Sequence, residues 1–362
     1  MSVQRWLTHA VIDEFSRIEQ IKGQRAHNVL TAAKPAARRS PWRWPTSRRR
    51  KSSAGTRALS RLGRLDPGKS LPVSLASKAI DKVVNPPRVS DPERLREAVS
   101  GATVLVTGAS FGIGEATACK LAAAGATVLL AARSADKLDS LAQTISANGG
   151  DAVSYPADLC DEATVTALAK RIIDEHGPPD IVVSNAGKSI RRPLHHQYER
   201  PHDFHRTIGI NYLGPILLLL GLLPAMRDRG SGHIVNVSSV GVRVPPGPRW
   251  GAYQASKGAF DMWLRSVAPE LHTDGVDVTS IYMALIHTRM TAPTESLRNV
   301  PGLYPDQAAD IVAKAIIERP RTIAPWWLWP AEVTTVLLRG PVELAAQLWY
   351  RSTKDSEGKA DE

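Results

Sequence analysis

The chain has 362 residues and 43% hydrophobic content, which allows one large α/β domain with an appendage. Its formal net charge of +11 is unevenly distributed: residues 1–90 contain 19 Lys and Arg against 5 Asp and Glu, and the remainder contains 27 against 30. Cys119 and Cys160 have neither disulfide nor metal-ligand spacing. The composition therefore excludes a disulfide scaffold, indicates no metal site and confines the basic character to the N-terminal part.

The sequence shows no pattern of a secretory signal or of a membrane-spanning segment. Charged residues such as Arg5 and Asp13 interrupt the first twenty positions, where a signal needs an apolar stretch. The densest apolar run, residues 216–223, is broken by Gly221 and ended by Pro224, a pattern typical of a buried helix. We expect a cytoplasmic protein, with peripheral membrane association left open.

Residues 1–92 are predicted to form a basic N-terminal extension. Apolar residues at helical spacing predict a short amphipathic helix within residues 1–22, and the Arg-, Ser-, Pro- and Trp-rich residues 34–64 are predicted to be disordered. Residues 71–92, rich in Pro and Ser, form a linker. The basic segment has two functional interpretations, contact with an anionic membrane surface and non-specific nucleic-acid binding. The alternative is a solvated tail, or a mis-assigned start codon upstream of the real domain. Of the two partners, the membrane is favoured over nucleic acid.

Beyond Gly101, strand-like runs alternate with helical stretches that are too long for hairpins. The runs are residues 103–106, 127–130, 152–155, 181–184, 233–237 and 277–282, with 321–324 as a candidate seventh. This alternation predicts a Rossmann-type, doubly wound parallel sheet. We place a single catalytic domain at residues 93–325 and an apolar C-terminal helix with a polar tail at residues 326–362.

A glycine-rich turn follows the first strand and precedes a helix predicted over residues 115–124. The turn contains Gly108, Ser110, Phe111, Gly112, Ile113 and Gly114. Glycines here let the backbone turn tightly and approach a pyrophosphate at the N-terminus of a helix. The second strand ends at Ala132-Arg133, without the carboxylate that would bind the ribose of NAD. Arg133 suits a 2′-phosphate, which predicts NADP(H); alternatively, Arg133 caps the strand end.

Tyr253 and Lys257 lie one helical turn apart. An ammonium at this spacing stabilises a phenolate, which makes tyrosine usable in proton transfer near neutral pH. The pair indicates general acid catalysis next to the predicted nucleotide site.

Five motifs in order resemble the short-chain dehydrogenase/reductase family over about residues 100–325. They are the Gly-x-x-x-Gly-x-Gly turn, Asn185-Ala186-Gly187, Asn211, Ser238-Ser239 and the Tyr253/Lys257 pair. The resemblance implies that Tyr253 protonates the substrate oxygen as hydride arrives from the nicotinamide, while Lys257 lowers the tyrosine pKa and holds the nicotinamide ribose. It also implies that Ser239 orients the carbonyl, with Ser238 as the alternative, and that Asn211 holds a relay water.

The same resemblance implies further contacts to the cofactor. Asp158 and Leu159 would flank the adenine, residues 185–187 would line the adenosine side, and Thr288 would contact the nicotinamide carboxamide. The chain departs from the family at residues 283–284, where Met-Ala replaces the common Pro-Gly. The resemblance also implies a homo-oligomer formed through the helices that hold Asn211 and Tyr253.

A narrower resemblance concerns the substrate. Residues 185–192, 202–207, 280–283 and 292–294 are similar to bacterial fatty acyl-CoA reductases, which reduce a long-chain thioester to the aldehyde. The chain departs from these relatives at Ala284, where they have proline, and carries His287 and Arg289 in a loop close to the substrate.

Two further groups of residues have open interpretations. Arg191 and Arg192 bind CoA phosphates or form surface ion pairs, and the apolar residues 326–329 and 336–338 line an alkyl pocket, contact a membrane or pack on the core. We therefore predict an NADPH-dependent reductase of a lipophilic carbonyl compound, in particular a long-chain acyl-CoA or fatty aldehyde. The alternatives are a ketone reductase or alcohol dehydrogenase for another lipid, such as a steroid or keto-acyl chain, and a nucleotide-binding scaffold that the basic leader recruits to a membrane.

Overall fold

A computed structural model describes residues 84–88, 91–294, 297–298 and 300–353. The predicted amphipathic helix, the basic segment and most of the linker lie outside the described residues, as does the polar tail from residue 354.

The described residues form a seven-stranded parallel sheet in the order β3-β2-β1-β4-β5-β6-β7, which confirms the predicted fold class. The strands are β1 Thr103–Thr107, β2 Thr127–Ala132, β3 Asp151–Pro156, β4 Ile181–Ser184, β5 Gly232–Ser239, β6 Val276–Met283 and β7 Thr322–Ile323. Central strands carry apolar residues on both faces because helices cover both sides; every residue of β4 is buried. The candidate seventh strand is present as a two-residue edge.

Helices precede the sheet, connect its strands and follow it. They are α1 Pro92–Val99, α2 Gly112–Ala123, α3 Ala135–Ala147, α4 Glu162–His176, α5 Pro201–Ile208, α6 Gly214–Arg229, α7 Val240–Arg243, α8 Gly251–Thr273, α9 Pro305–Glu318, α10 Leu328–Leu337 and α11 Arg339–Ser352. One core cluster packs α1, α2, α3 and α9 against the sheet, and a second packs α4, α6 and α8. The two clusters are the two sides of a doubly wound sheet.

Helix α6 contains the apolar run 216–223, as the sequence predicted of a buried helix, and continues through Pro224 to Arg229. Burial of flanking residues such as Leu222 and Met226 against α4 and α8 compensates for the hydrogen bond that proline cannot donate. With α5 and the turn between them, α6 forms a helical stretch, Pro201–Arg229, that is long and apolar enough by composition to cross a membrane. The buried residues of α6 belong to the core of the domain.

The apolar C-terminal segment forms two helices, where the sequence predicted one. The break lies at Leu338, whose ψ of 41° is not helical. Pro341 explains it, because proline cannot donate a hydrogen bond to the carbonyl of Leu337 but fits the first turn of a new helix. The indole nitrogen of Trp327 donates to the carbonyl oxygen of Val84 at 3.1 Å, so the end of the linker lies beside the start of α10.

The crossing of α6 over α4 depends on the absence of a side chain at Gly221, because a methyl group there would come 2.5 Å from Cβ of Ala169. We predict that Gly221→Ala is less stable than Gly340→Ala by about 1–3 kcal/mol, because overpacking outweighs the gain in helix propensity. Gly340 is the matched control, since no other described atom within 4 Å would meet its added methyl. Urea unfolding of the two variants measures the difference. Equal free energies of unfolding would show that α4 and α6 accommodate the added methyl group without loss of stability.

Candidate active site

The predicted site residues lie along one edge of the sheet, at the carboxyl ends of β1, β4, β5 and β6. The glycine-rich turn follows β1, Asn185 follows β4, Ser239 ends β5 and Thr288 lies beyond β6. The strand order reverses between β1 and β4, and ligands of open α/β sheets bind at such a reversal. The topology therefore brings together motifs that are well over a hundred residues apart.

The glycine-rich turn has a backbone that fits a pyrophosphate. Gly108 and Gly112 have φ values of 68° and 65°, which favour glycine, and a methyl group on Gly114 would overlap the carbonyl of Gly108. Helix α2 begins at Gly112, three residues before the predicted start, and Phe111 makes no side-chain cap within the described chain. The first amide groups of α2 are therefore available to an anion.

The loop after β4 is attached to the end of β1. The backbone amides of Asn185 and Ala186 each donate to Oγ1 of Thr107 at 3.0 Å, and Nδ2 of Asn185 donates to the carbonyl of Thr107 at 2.9 Å. The Asn185 side chain is thus hydrogen-bonded to the residue that precedes the glycine-rich turn. The resemblance implied only that Asn185 lines the adenosine side of the cofactor.

Arg133 is exposed directly after β2, on the adenosine side of the site. Leu159 is buried, and Oδ1 of Asp158 accepts a hydrogen bond from the amide of Cys160 at 3.0 Å. Burial and the Asp158 carboxylate raise the pKa of Cys160, and the positive charges of Arg133 and Arg206 oppose that rise. The guanidinium groups of Arg133 and Arg206 therefore both place positive charge near Cys160. Arg206, on α5, was not predicted from the sequence because it is distant in the chain.

Helix α8 brings Tyr253 and Lys257 to the end of β5. Burial raises the pKa of Tyr253, and the neighbouring hydroxyl of Ser239 partly opposes that rise. Lys257 is 7% exposed, and its Nζ donates to the carbonyl of Val237 at 3.1 Å. Burial lowers the pKa of Lys257 to about 8. The expected lowering of the tyrosine pKa by Lys257 stays a prediction.

The structure distinguishes the two adjacent serines. Successive residues of a strand point to opposite faces. Ser238 is buried and its hydroxyl has no hydrogen-bond partner among the described residues, whereas the hydroxyl of Ser239 accepts from the amide of Gly241 at 3.3 Å and acts on the pKa of Tyr253. The geometry thus brings Ser239, and not Ser238, to the tyrosine.

Asn211 lies in a π-helical turn, Gly209–Leu213, between α5 and α6. Its Nδ2 donates to the carbonyl of Lys188 at 2.8 Å and to Oγ of Ser256 at 2.9 Å, and its Oδ1 accepts from the amide of Lys188 at 2.8 Å. A methyl group built on Gly187 would come 2.9 Å from Oδ1 of Asn211 and 3.3 Å from Nζ of Lys257. Asn211 and Lys257 therefore flank Gly187, and the relay water stays a prediction.

Asp261, which the sequence analysis missed, lies one helical turn beyond Lys257 and is 2% exposed. Its Oδ2 accepts from the hydroxyl of Tyr282 at 2.9 Å, and its Oδ1 has no hydrogen-bond partner among the described residues. The charge of Asp261 raises the pKa of Lys257, against the larger effect of burial. The i, i+4 spacing was a usable signal, because it predicts that the two side chains share one helix face.

A chain of side chains continues from Tyr282 to the C-terminal helices. The guanidinium of Arg243, on α7, lies 4.9 Å from the centre of the Tyr282 ring, and its Nε donates to Oε1 of Glu332 at 2.7 Å. Glu332 is on α10. The segment between Ser239 and Tyr253 is therefore attached to the C-terminal part of the chain.

Arg249 makes a second attachment. It has a φ of 73°, which is uncommon for a residue with a side chain, and its guanidinium donates to the hydroxyl and carbonyl of Thr353 at 2.9 and 2.8 Å. Its own carbonyl accepts from the amide of Arg192 at 2.8 Å. Arg192 also forms an ion pair with Asp203 at 2.9 Å, which supports the ion-pair interpretation for this arginine.

The comparisons with known proteins agree with this geometry. Residues 102–299 match the short chain dehydrogenase family. An uncharacterized oxidoreductase of Mycobacterium bovis is 47% identical over 230 residues, which are 63% of this chain and 67% of the relative. A fatty acyl-CoA reductase of Acinetobacter baylyi is 44% identical over 229 residues, which are 63% of this chain and 77% of the relative.

A solved structure extends the comparison. A metagenomic short-chain oxidoreductase in complex with NADP has a TM-score of 0.53 and 35% identity, over 61% of this chain and 92% of that one. The family match includes the glycine-rich turn, Asn211, Ser239 and the Tyr253/Lys257 pair. The chain therefore belongs to the short-chain dehydrogenase family and is an oxidoreductase.

Proposed function

We propose that the protein is an NADPH-dependent reductase of a lipophilic carbonyl compound, specifically of a long-chain fatty acyl-CoA, which it converts to the aldehyde. The observation that carries a reductase is the placement of Tyr253 and Ser239 beside the buried Lys257, next to a glycine-rich turn with an uncapped helix. The choice of acyl-CoA is supported by relatives of that activity at 44% and 40% identity.

NADP(H) is the proposed cofactor. Arg133 and Arg206 supply positive charge at the adenosine corner, where a 2′-phosphate would lie, and Ala132 offers no competing carboxylate. Structural neighbours at 35% and 29% identity contain bound NADP. Gly108, Gly112 and the first turn of α2 would hold the pyrophosphate.

The proposed mechanism assigns one task to each side chain of the site. Held by the glycine-rich turn and the first turn of α2, NADPH would supply the hydride that the carbonyl carbon of the thioester receives. Ser239 orients the carbonyl, and Tyr253 donates a proton to its oxygen, so that hydride and proton together form a hemithioacetal. When the carbon–sulfur bond breaks, the oxygen loses its proton, the aldehyde forms, and CoA leaves with a proton as the free thiol.

The electrostatics of the site suit reduction. Burial raises the pKa of Tyr253, so that its hydroxyl is protonated at neutral pH and able to donate. Lys257, with a pKa of about 8, is largely an ammonium at neutral pH and can stabilise the phenolate that forms when the proton leaves. Asp261 maintains that ammonium, because its carboxylate favours the charged form.

A second candidate is a ketone reductase or alcohol dehydrogenase that acts on another lipid. The observation in its favour is the ion pair between Arg192 and Asp203, because an arginine held in this way contributes less to binding CoA phosphates. A nucleotide-binding scaffold is less compatible with the site, since a scaffold does not require Tyr253, Lys257 and Ser239 together.

The proposed enzyme forms a homo-oligomer through α6 and α8. Leu220 on α6 and Met262 on α8 are 55% and 60% exposed, which leaves apolar surface on both helices for a second copy.

Acyl-CoA reduction is tested with purified full-length protein, NADPH and palmitoyl-CoA. We expect NADPH oxidation with equal release of free thiol, and a loss of about 10²–10⁴-fold in Tyr253→Phe, because the phenyl ring has no proton to donate. Ser238→Ala is the matched control, since its hydroxyl does not reach Tyr253. NADPH oxidation with a fatty aldehyde or ketone, but not with the thioester, would contradict the acyl-CoA assignment and favour the second candidate.

Cofactor choice is tested with Arg133→Ala. Losing a charge-assisted contact to the 2′-phosphate should raise the KM for NADPH roughly tenfold or more and leave the KM for NADH nearly unchanged. Lys137→Ala is the control, because it removes another exposed positive charge one turn further along the chain, in α3. It measures the effect on KM of losing a nearby positive charge that does not contact the phosphate. An equal effect of Arg133→Ala on both cofactors would show that this residue does not contact the phosphate.

The role of Asp261 is tested by the pH dependence of kcat/KM in Asp261→Asn. The carboxylate raises the pKa of Lys257, so its removal should lower that pKa below about 8 and move the alkaline decline of activity to lower pH. At pH 8 we expect roughly a three- to tenfold lower rate. Glu270→Gln, an exposed change on the same helix, should leave the profile unchanged. An unchanged pH profile of kcat/KM in Asp261→Asn would show that Asp261 does not affect the pKa of Lys257.

A further inference from the structure

The helix pair α10–α11 exposes several large apolar side chains. We define the C-terminal apolar face as Trp329, Val336, Leu337, Leu338, Leu344 and Leu348, which are 71%, 72%, 75%, 53%, 56% and 56% exposed. Monomeric proteins rarely expose apolar side chains in such a group unless another surface covers them. The face is separate from the predicted cofactor site.

The two helices are amphipathic, with an apolar side wider than the protein covers. Val342, Ala346 and Tyr350 recur every four residues and are half-buried towards the domain. Leu344 and Leu348 extend the apolar side into solvent, and Glu343, Gln347 and Arg351 form the opposite, polar side. None of the residues of α11, all of which are described, is buried. This pattern fits a helix that lies in an interface between water and hydrocarbon.

The first described residue, Val84, lies beside the start of α10. Val84 accepts the hydrogen bond of Trp327, two residues before Trp329, and residues 1–90 contain 19 Lys and Arg against 5 Asp and Glu. An apolar surface with exposed tryptophan and a tethered basic segment is complementary to anionic lipid, which offers hydrocarbon and negative headgroups together.

We propose that the C-terminal apolar face docks on an anionic phospholipid membrane and that the basic leader adds the preference for negative charge. Arg243 bonds Glu332 on α10, and Arg249 bonds Thr353 directly after α11, so both helices are attached to the segment that precedes Tyr253. The inference goes beyond the proposed function, because membrane binding requires no particular carbonyl substrate.

The test is flotation of the full-length protein with vesicles of equal parts phosphatidylglycerol and phosphatidylcholine, compared with phosphatidylcholine alone. We expect binding that is stronger on the anionic vesicles and at least about tenfold weaker for Leu344→Glu/Leu348→Glu, because both side chains leave the hydrocarbon. Gln347→Glu places the same charge on the polar side of α11 and should bind almost as the wild type does. Replacing Arg48, Arg49, Arg50 and Lys51 by serine should reduce the preference for anionic vesicles.

Three outcomes would overturn the proposal. They are no vesicle binding by the wild type, equal binding by the double variant, and a halved molecular mass of the double variant in light scattering, which would identify the face as a contact between copies of the chain. Melting temperature checks that the variants fold. Turnover of a water-soluble, short-chain substrate without vesicles should be the same in the double variant and the wild type. Failure of membrane binding is therefore distinguishable from failure of the reductase assignment.

Discussion

Burial of the Lys257 ammonium is the constraint on which the site depends. A buried cation is costly unless nearby groups compensate for the lost water. Here the carbonyl of Val237 at the end of β5 accepts from Nζ, and the carboxylate of Asp261 lies one turn away on the same helix. These contacts define the position of α8 along the sheet and its rotation about its own axis. The same position brings Tyr253 next to Ser239. The position of the tyrosine therefore follows from how the lysine is accommodated.

The carboxylate that compensates for the buried charge also begins a series of contacts from the site to the C-terminal helices. Asp261 bonds Tyr282, the Tyr282 ring contacts Arg243, and Arg243 bonds Glu332 on α10. The C-terminal helices, which lie beyond the family match, are thus in physical contact with the segment between Ser239 and Tyr253.

The alternation of short apolar runs predicted the first six strands within two residues at each end, because parallel strands buried on both faces must be continuously apolar. The resemblance to the family, and not the alternation, implied that the glycine-rich turn, Ser239 and Tyr253 belong to one site. Helix α6 continues through Pro224 because packing of its neighbours outweighs one missing hydrogen bond. The contacts of Arg249 with Thr353 and of Arg243 with Glu332 had no local signal, because they join residues about a hundred positions apart. Asp261 had a signal in its spacing from Lys257.

The most direct test of the central claim follows the hydride itself. Palmitoyl-CoA is incubated with the enzyme and NADPH that carries deuterium at the transferred position, and the aldehyde is analysed by mass spectrometry. If Tyr253 and Lys257 serve hydride transfer to a thioester, the aldehyde carries one deuterium on its carbonyl carbon. Aldehyde without deuterium, or CoA release without a labelled product, would contradict this account of the site.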